Sequence, residues 1–260
     1  MAKNHEELCL HGGIHNFSRL VWTTVEQLSH LVRFELVSKD GDEGFPGTLR
    51  TLVEYKVNES NRLEISYEAR LEPNEHGDTI VNLTNHTYFN LNGVGSGRNV
   101  QNHLLQVPRQ VSVLKLDSSL VPDGQTLDLE RNPLLDFRAQ ARSLGDGIRA
   151  DSSLYDCNLV ITEEAETFSI DGSKELLLAA KLSSLTSGIC MTMETTEPGF
   201  QLYTGNHIAV DQFAAYDGVC LEAQRFPNAC NIPKWSSQSL LKAGQVYRQK
   251  TVYSFERETV

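Results

Sequence analysis

Three stretches of the 260-residue chain place reactive side chains inside otherwise apolar runs, where polarity needs a reason. Residues 218–228 read Gly-Val-Cys-Leu-Glu-Ala-Gln-Arg-Phe-Pro-Asn, and strand alternation sends Glu222 and Gln224 out of the same side. A carboxylate on a buried strand must be paired, opened to a cleft or raised in pKa, and the last two conditions describe a general base. Residues 81–91 read Val-Asn-Leu-Thr-Asn-His-Thr-Tyr-Phe-Asn-Leu. As a strand, this run sets Asn82, Thr84, His86 and Tyr88 on one side and Leu83, Asn85, Thr87 and Phe89 on the other, so both faces need hydrogen-bond partners. A lone histidine is more often a satisfied structural residue; the density of polar groups around His86 leaves that role and a proton-transfer role equally open. Residues 197–206 form a tight Pro-Gly turn feeding a strand that carries Gln201 and Tyr203. Composition alone reads it as a turn followed by a sheet-edge tyrosine.

Other chemistries find no support. His11 and His15 are four apart, but Gly12 and Gly13 lie between them, so a helical metal-binding pair is not expected. Neither a GxSxG nucleophile elbow nor an HExxH helix occurs, so the reading is side-chain chemistry with no metal and no cofactor. The glycine-rich run 93–99 lacks the lysine of a phosphate-binding loop and is expected to be a plain loop. The five cysteines (Cys9, Cys157, Cys190, Cys220, Cys230) are spread without a CxxC pair, which suggests reduced thiols rather than a disulfide framework. Two glycosylation sequons, at Asn82 and Asn85, follow an N-terminus without an apolar signal core, so a cytoplasmic protein is expected. A formal net charge of −11 disfavours nonspecific nucleic-acid or anionic-membrane binding, and no apolar run is long enough to span a bilayer as a helix. The sequence specifies no oligomeric state.

The elements that must position these residues are mostly strands. Leu63, Ile65, Tyr67, Ala69 and Leu71 alternate with polar neighbours, as do Val32, Phe34 and Leu36. Near the end, Tyr247, Thr251, Tyr253 and Phe255 share one side of a run whose other side carries Arg248, Lys250 and Glu256. Turn signals recur at Asp40-Gly41, Pro46-Gly47, Gly77-Asp78, Asp123-Gly124 and Asp171-Gly172. One short helix is expected at residues 136–144, ending at Gly145. Many strands with almost no helix indicate a mainly β fold, a large antiparallel sandwich forming one domain over residues 1–260.

With these residues in view, the chain resembles the aldose 1-epimerase (galactose mutarotase) family. Residues 82–93 are similar, nearly letter for letter, to that family's central histidine segment. Residues 197–206 resemble its Pro-Gly turn and strand, residues 221–231 its glutamate segment, Leu10-His11-Gly12-Gly13 its first histidine motif, and residues 42–47 its turn. The resemblance implies a galactose mutarotase-like sandwich whose cleft binds an aldose such as galactose or glucose. It implies Glu222 as the base that takes the anomeric proton and His86 as the acid that protonates the ring oxygen. His11, Asp156, Gln201 and Gln224 are then sugar contacts. The chain departs from the family around Asp156, where Leu154-Tyr155 and Cys157 replace the usual Gly-Phe and histidine. It also begins at the first histidine motif, so the family's first strands and their sugar-binding arginine are expected to be missing. A catalytically weak sugar-binding relative is the alternative the departures leave open.

Overall fold

The computed structural model describes residues 1–257 except Ala2, Glu6, Asn74, His76, Thr167, Ser173 and Lys174. The strands, in chain order, begin with β1 (Thr23–Leu28), β2 (Leu31–Ser38), β3 (Leu49–Asn58), β4 (Arg62–Leu71), β5 (Asp78–Ile80) and β6 (Tyr88–Phe89). They continue with β7 (His103–Gln106), β8 (Ser112–Leu116), β9 (Pro122–Leu127), β10 (Arg142–Ser143), β11 (Asp156–Val160) and β12 (Leu177–Ser184). The last are β13 (Ile189–Thr195), β14 (Gly199–Tyr203), β15 (Val219–Gln224), β16 (Leu240–Lys242) and β17 (Tyr247–Arg257).

A nine-stranded sheet runs β1-β2-β3-β4-β17-β13-β12-β7-β10, a six-stranded sheet runs β6-β15-β14-β11-β8-β9, and β16 pairs with β5. Every pairing among the named strands is antiparallel. The alternation in residues 62–71 becomes β4, with Ile65, Tyr67, Ala69 and Leu71 buried, and that near the C-terminus becomes β17. Ile65, Met191, Met193, Tyr247 and Tyr253 of the large sheet share one apolar core with Leu159, Phe200, Leu202, Leu221 and Ala223 of the smaller sheet. Burying side chains of this size contributes about 1.5–3 kcal/mol each and drives the two sheets together. The mainly β antiparallel architecture is thus the one the patterning implies. No helix among the described residues is long and apolar enough to cross a membrane.

The core claims one face of the six-stranded sheet: Cys157 and Leu159 of β11, Phe200 and Leu202 of β14, and Val219, Leu221 and Ala223 of β15. Period-two alternation then turns Asp156, Asn158, Gln201, Tyr203, Cys220, Glu222 and Gln224 onto the opposite, outer face. At one end a second apolar cluster covers that face, built from Leu114, Val160, Phe226 and Trp235. The polar rows lie beyond it.

Two expectations fail here. The helix α1 occupies Leu144–Ala150 rather than 136–144, and it contains Gly145 and Gly147 instead of ending at the first. Both glycines are there for contact, not termination: a Cβ at 145 would press on the Gln101 carbonyl, and one at 147 would fall inside the Tyr155 ring. Tyr155 is 1% exposed and donates its hydroxyl to the Leu134 carbonyl (3.1 Å), so it has nowhere to retreat. Gly147→Ala is therefore expected to destabilise the protein by about 1–3 kcal/mol, as overpacking does, despite alanine's better helix propensity. A rise in the urea midpoint would show that the close approach is not there.

The second failure is the polar run at 81–91. Only Tyr88 and Phe89 form a strand; residues 81–87 belong to no strand or helix. Side chains do the pairing instead. Asn82 Nδ2 donates to the Arg225 carbonyl (3.0 Å) while its Oδ1 accepts from Arg225 N (3.0 Å), and Thr84 Oγ1 donates to the Ala223 carbonyl (2.9 Å). The run is polar on both sides because its asparagines and threonines satisfy backbone groups that a strand would have paired.

Candidate active site

Register places the outer-face residues in rows. Asp156, Tyr203, Cys220 and Tyr88 stand side by side across four strands. The next row is Asn158, Gln201 and Glu222, and the one after is Val160, Gly199 and Gln224. The third row leads into the second apolar cluster, which leaves a cleft over the first two. Tyr203 lies on β14, between β15 and β11, so it is not the sheet-edge tyrosine its composition suggests. The strand is interior, and the tyrosine faces the cleft.

His86 reaches this cleft on the segment hooked to β15, whose bonds to Arg225 and Ala223 fix its height. Leu83 N adds a bond to the Tyr247 hydroxyl (3.2 Å). The imidazole lies over β15 with Nε2 3.4 Å from Glu222 Oε1 and Nδ1 3.4 Å from Cys220 Sγ. It stacks on Tyr88 (ring centroids 5.0 Å apart) and meets the edges of His11 (5.7 Å) and Tyr203 (6.5 Å). Glu222 is 6% exposed and forms the floor, whereas Asp156 and His11 are exposed at the rim. Gln201 links rim to floor, donating Nε2 to Asp156 Oδ1 (2.7 Å).

His11 is held by strain that its neighbours support. Its φ is +55°, followed by Gly12 at +83° and Gly13 at +101°, a left-handed run that only glycine makes easy. The Asn4 side chain clamps the turn, accepting from Leu10 N (2.7 Å) and donating to the Leu10 (2.8 Å) and Gly13 (3.1 Å) carbonyls. The Glu43 carboxylate takes Ile14 N (2.8 Å) and His15 N (2.9 Å). A Cβ at Gly13 would strike that carboxylate, so the glycine is needed for contact as well as conformation.

The electrostatics invert the ordinary order of the central pair. Burial, helped by the charge of Asp156, pushes the Glu222 carboxyl up to about 8. Burial, helped by His11, pulls the His86 imidazole below its ordinary value. His11 is likewise lowered by burial, with Asp156 pulling the other way. Near neutral pH the Glu222–His86 pair therefore holds one proton, resting on the carboxyl. A pair that shares one proton across 3.4 Å can deliver it to one substrate oxygen while accepting another.

Five of the six residues singled out in the sequence, His11, His86, Asp156, Gln201 and Glu222, converge on this cleft. Gln224 shares their face but sits one row further toward the apolar cluster, beside Gly199. Cys220, Tyr88 and Tyr203 line the same cleft, although the sequence does not mark them as site residues. Alternation carried the signal: Cys220 is two residues before Glu222, Tyr203 two after Gln201, and Tyr88 two after His86.

A mainly antiparallel β fold with a carboxyl–imidazole pair on one face of its six-stranded sheet has the geometry on which acid–base chemistry can be arranged. The chain belongs to the aldose 1-epimerase family, which it matches over residues 1–254. It is 33% identical to the galactose mutarotase of Homo sapiens, covering 98% of this chain and 71% of that protein. It is 32% identical to the aldose 1-epimerase of Escherichia coli K12, over 96% and 70% respectively. Among solved structures, the GalM/aldose epimerase homologue from C. elegans superposes with a TM-score of 0.82 at 26% identity, covering 96% of this chain and 73% of that one. The chain thus spans about 70% of the length of these relatives, which are isomerases by name.

Proposed function

We propose that this chain interconverts the α and β anomers of an aldose such as galactose or glucose, opening and reclosing the ring by acid–base catalysis. The observation that carries the reading is the Glu222–His86 pair in the cleft, with Asp156, Gln201 and His11 around it to hold hydroxyl groups.

In ring opening Glu222, as carboxylate, takes the proton of the anomeric hydroxyl. His86, as imidazolium, gives its Nε2 proton to the ring oxygen, and the C1–O5 bond breaks to leave an aldehyde and a C5 hydroxyl. The pair ends with Glu222 protonated and His86 neutral. After rotation about C1–C2, His86 takes back the C5 hydroxyl proton as that oxygen attacks the other face of the carbonyl, and Glu222 returns its proton to O1. The neutral pair that accompanies the open-chain aldehyde is also the state in which the site rests, so the shared proton passes from Glu222 to His86 before the ring opens and is left on Glu222 again when it has opened.

The activity is expected to be bell-shaped in pH. The singly protonated pair is lost on the acid side when His86 also charges, below the ordinary imidazole range, and on the alkaline side when Glu222 ionises at about 8. The two limbs belong to the pair rather than to either residue alone. Initial rates of optical-rotation change across pH 4–10 measure it, and an alkaline limb in the ordinary imidazole range with an acid limb in the ordinary carboxylate range would contradict the inversion.

The activity itself is tested by mixing the protein with freshly dissolved α-D-galactose or α-D-glucose and following optical rotation against buffer. Acceleration supports the proposal. No acceleration, together with a cooperative melt shifted upward by sugar, would replace it with sugar binding alone.

A further inference from the structure

The three groups facing one another at the base of the cleft form a donor set that acid–base catalysis does not require. His86, Cys220 and Glu222 each present a ligand atom, and the three atoms lie within 4.8 Å of one another. We propose that this trio is an inhibitory site for a zinc-like divalent cation, bound through imidazole nitrogen, thiolate sulfur and carboxylate oxygen.

The geometry is close to what the ion demands. Zinc bonds of about 2.0–2.1 Å to nitrogen, 2.3 Å to sulfur and 2.0–2.2 Å to oxygen give tetrahedral ligand–ligand edges of about 3.3–3.6 Å. The His86 Nε2–Glu222 Oε1 edge is already 3.4 Å. The sulfur, anchored on β15 two residues from Glu222 and fully buried, lies 3.4 Å from the other ring nitrogen, Nδ1; one ion takes one nitrogen only, so the imidazole, which stands on the irregular segment, must turn to bring a single nitrogen to both neighbours. The fourth position opens to the cleft. The mixed nitrogen, sulfur and oxygen donors select zinc-like ions over magnesium or calcium, which prefer all-oxygen sites. Binding displaces the thiol proton of Cys220 and the carboxyl proton of Glu222 to solvent, so the charges of ion and ligands cancel. Sequence spacing hides the site because no two ligands are spaced as in a zinc motif; strand register brings 220 and 222 under a histidine from a different segment.

The site itself rests on geometry; that filling it stops catalysis rests on the mutarotase reading, because the ion takes the lone pairs of both the acid and the base. The test is titration of the reduced, chelator-stripped protein with Co²⁺, followed by Zn²⁺. One Co²⁺ per chain is expected, with a thiolate-to-cobalt charge-transfer band and tetrahedral visible bands that Zn²⁺ removes. Cys220→Ala is expected to lose the charge-transfer band, and His86→Gln, at a partly exposed position, to weaken affinity by more than the roughly 10–100-fold that loss of an outer-shell partner costs. Cys230→Ala is expected to keep the band. Absence of a thiolate band from the folded protein, or its persistence in folded Cys220→Ala, overturns the site; should Cys220→Ala not fold, unchanged affinity in His86→Gln does so. Zn²⁺ inhibition of mutarotation that a chelator reverses supports the functional half. A charge-transfer band without inhibition leaves the site standing and overturns the role of the pair.

Discussion

Glu222→Gln is expected to slow mutarotation by about 10²–10⁴-fold while raising the stability of the fold above neutral pH. The two effects share a cause. In the folded chain burial holds this carboxyl at about 8, whereas in the unfolded chain it returns to its ordinary value of 4.5. Below the unfolded value both states are protonated and the group contributes no difference. As pH rises from there, the unfolded chain ionises and the folded one does not, so stability is lost steadily until the folded carboxyl itself ionises near 8. Each pKa unit corresponds to about 1.4 kcal/mol, which makes the loss a few kcal/mol, on the order of 3–5, by the alkaline end. Glutamine fills the same space without a charge to bury and escapes the loss. Melting curves of the two proteins should therefore converge near pH 4.5 and separate progressively toward pH 8. Parallel curves with a constant offset would show that the carboxyl is not raised. Near-normal turnover by the variant would remove Glu222 from the mechanism altogether. A residue whose neutralisation stabilises the fold but abolishes activity marks a site whose strain is functional.

How much of this site was legible depended on whether strand alternation governed the residues concerned. In β14 and β15 it did: the apolar residues Leu202, Leu221 and Ala223 enter the core, and Gln201 and Glu222 must then face outward together. The segment carrying His86 reads as a strand whose two faces both need hydrogen-bond partners; the partners are present, but most of the strand is not. Its polar side chains in fact stand in for the missing ladder, and a single sequence does not distinguish a polar group that faces water from one that closes a backbone bond. Cys220 lies two residues before Glu222 and by alternation shares its face, but a cysteine in an apolar strand carries no mark of a site until the fold sets it beneath His86. The helix was displaced for a similar reason: its glycines look like terminators, yet they are where Tyr155 and the Gln101 carbonyl come too close for a side chain.

The same alternation that turns Glu222 toward the cleft turns Arg225 inward, and removing that guanidinium is expected to be strongly destabilising. Arg225 continues the Leu221–Ala223 side of the chain into the interior, where both it and Glu197 are 0% exposed. Its Nη1 donates to the Glu197 carboxylate, Nε to the Gln238 carbonyl (3.1 Å), and Nη2 to the carbonyls of Ile170 and Arg248 (both 3.0 Å). The plane also lies against Phe168 (5.0 Å) and Tyr247 (4.9 Å). Arg225→Ala leaves the Glu197 carboxylate buried without its cation and removes the guanidinium's hydrogen bonds to three carbonyls, a loss of about 3–5 kcal/mol or more. Against a total of roughly 5–15 kcal/mol for a domain, much of the folded margin disappears. Lysine would restore charge but not the fork that reaches four acceptors, so Arg225→Lys is expected to recover only part. The cycle that isolates the pair adds Glu197→Gln: if the uncompensated carboxylate dominates, the double variant Glu197→Gln/Arg225→Ala should be more stable than Arg225→Ala alone. Denaturant midpoints for the four proteins decide it, and a double variant that is weaker still would move the cost onto the lost bonds to the carbonyls. Because Asn82 holds the Arg225 backbone through two hydrogen bonds, the loss should also reach the segment that carries His86, lowering turnover even where the variant remains folded.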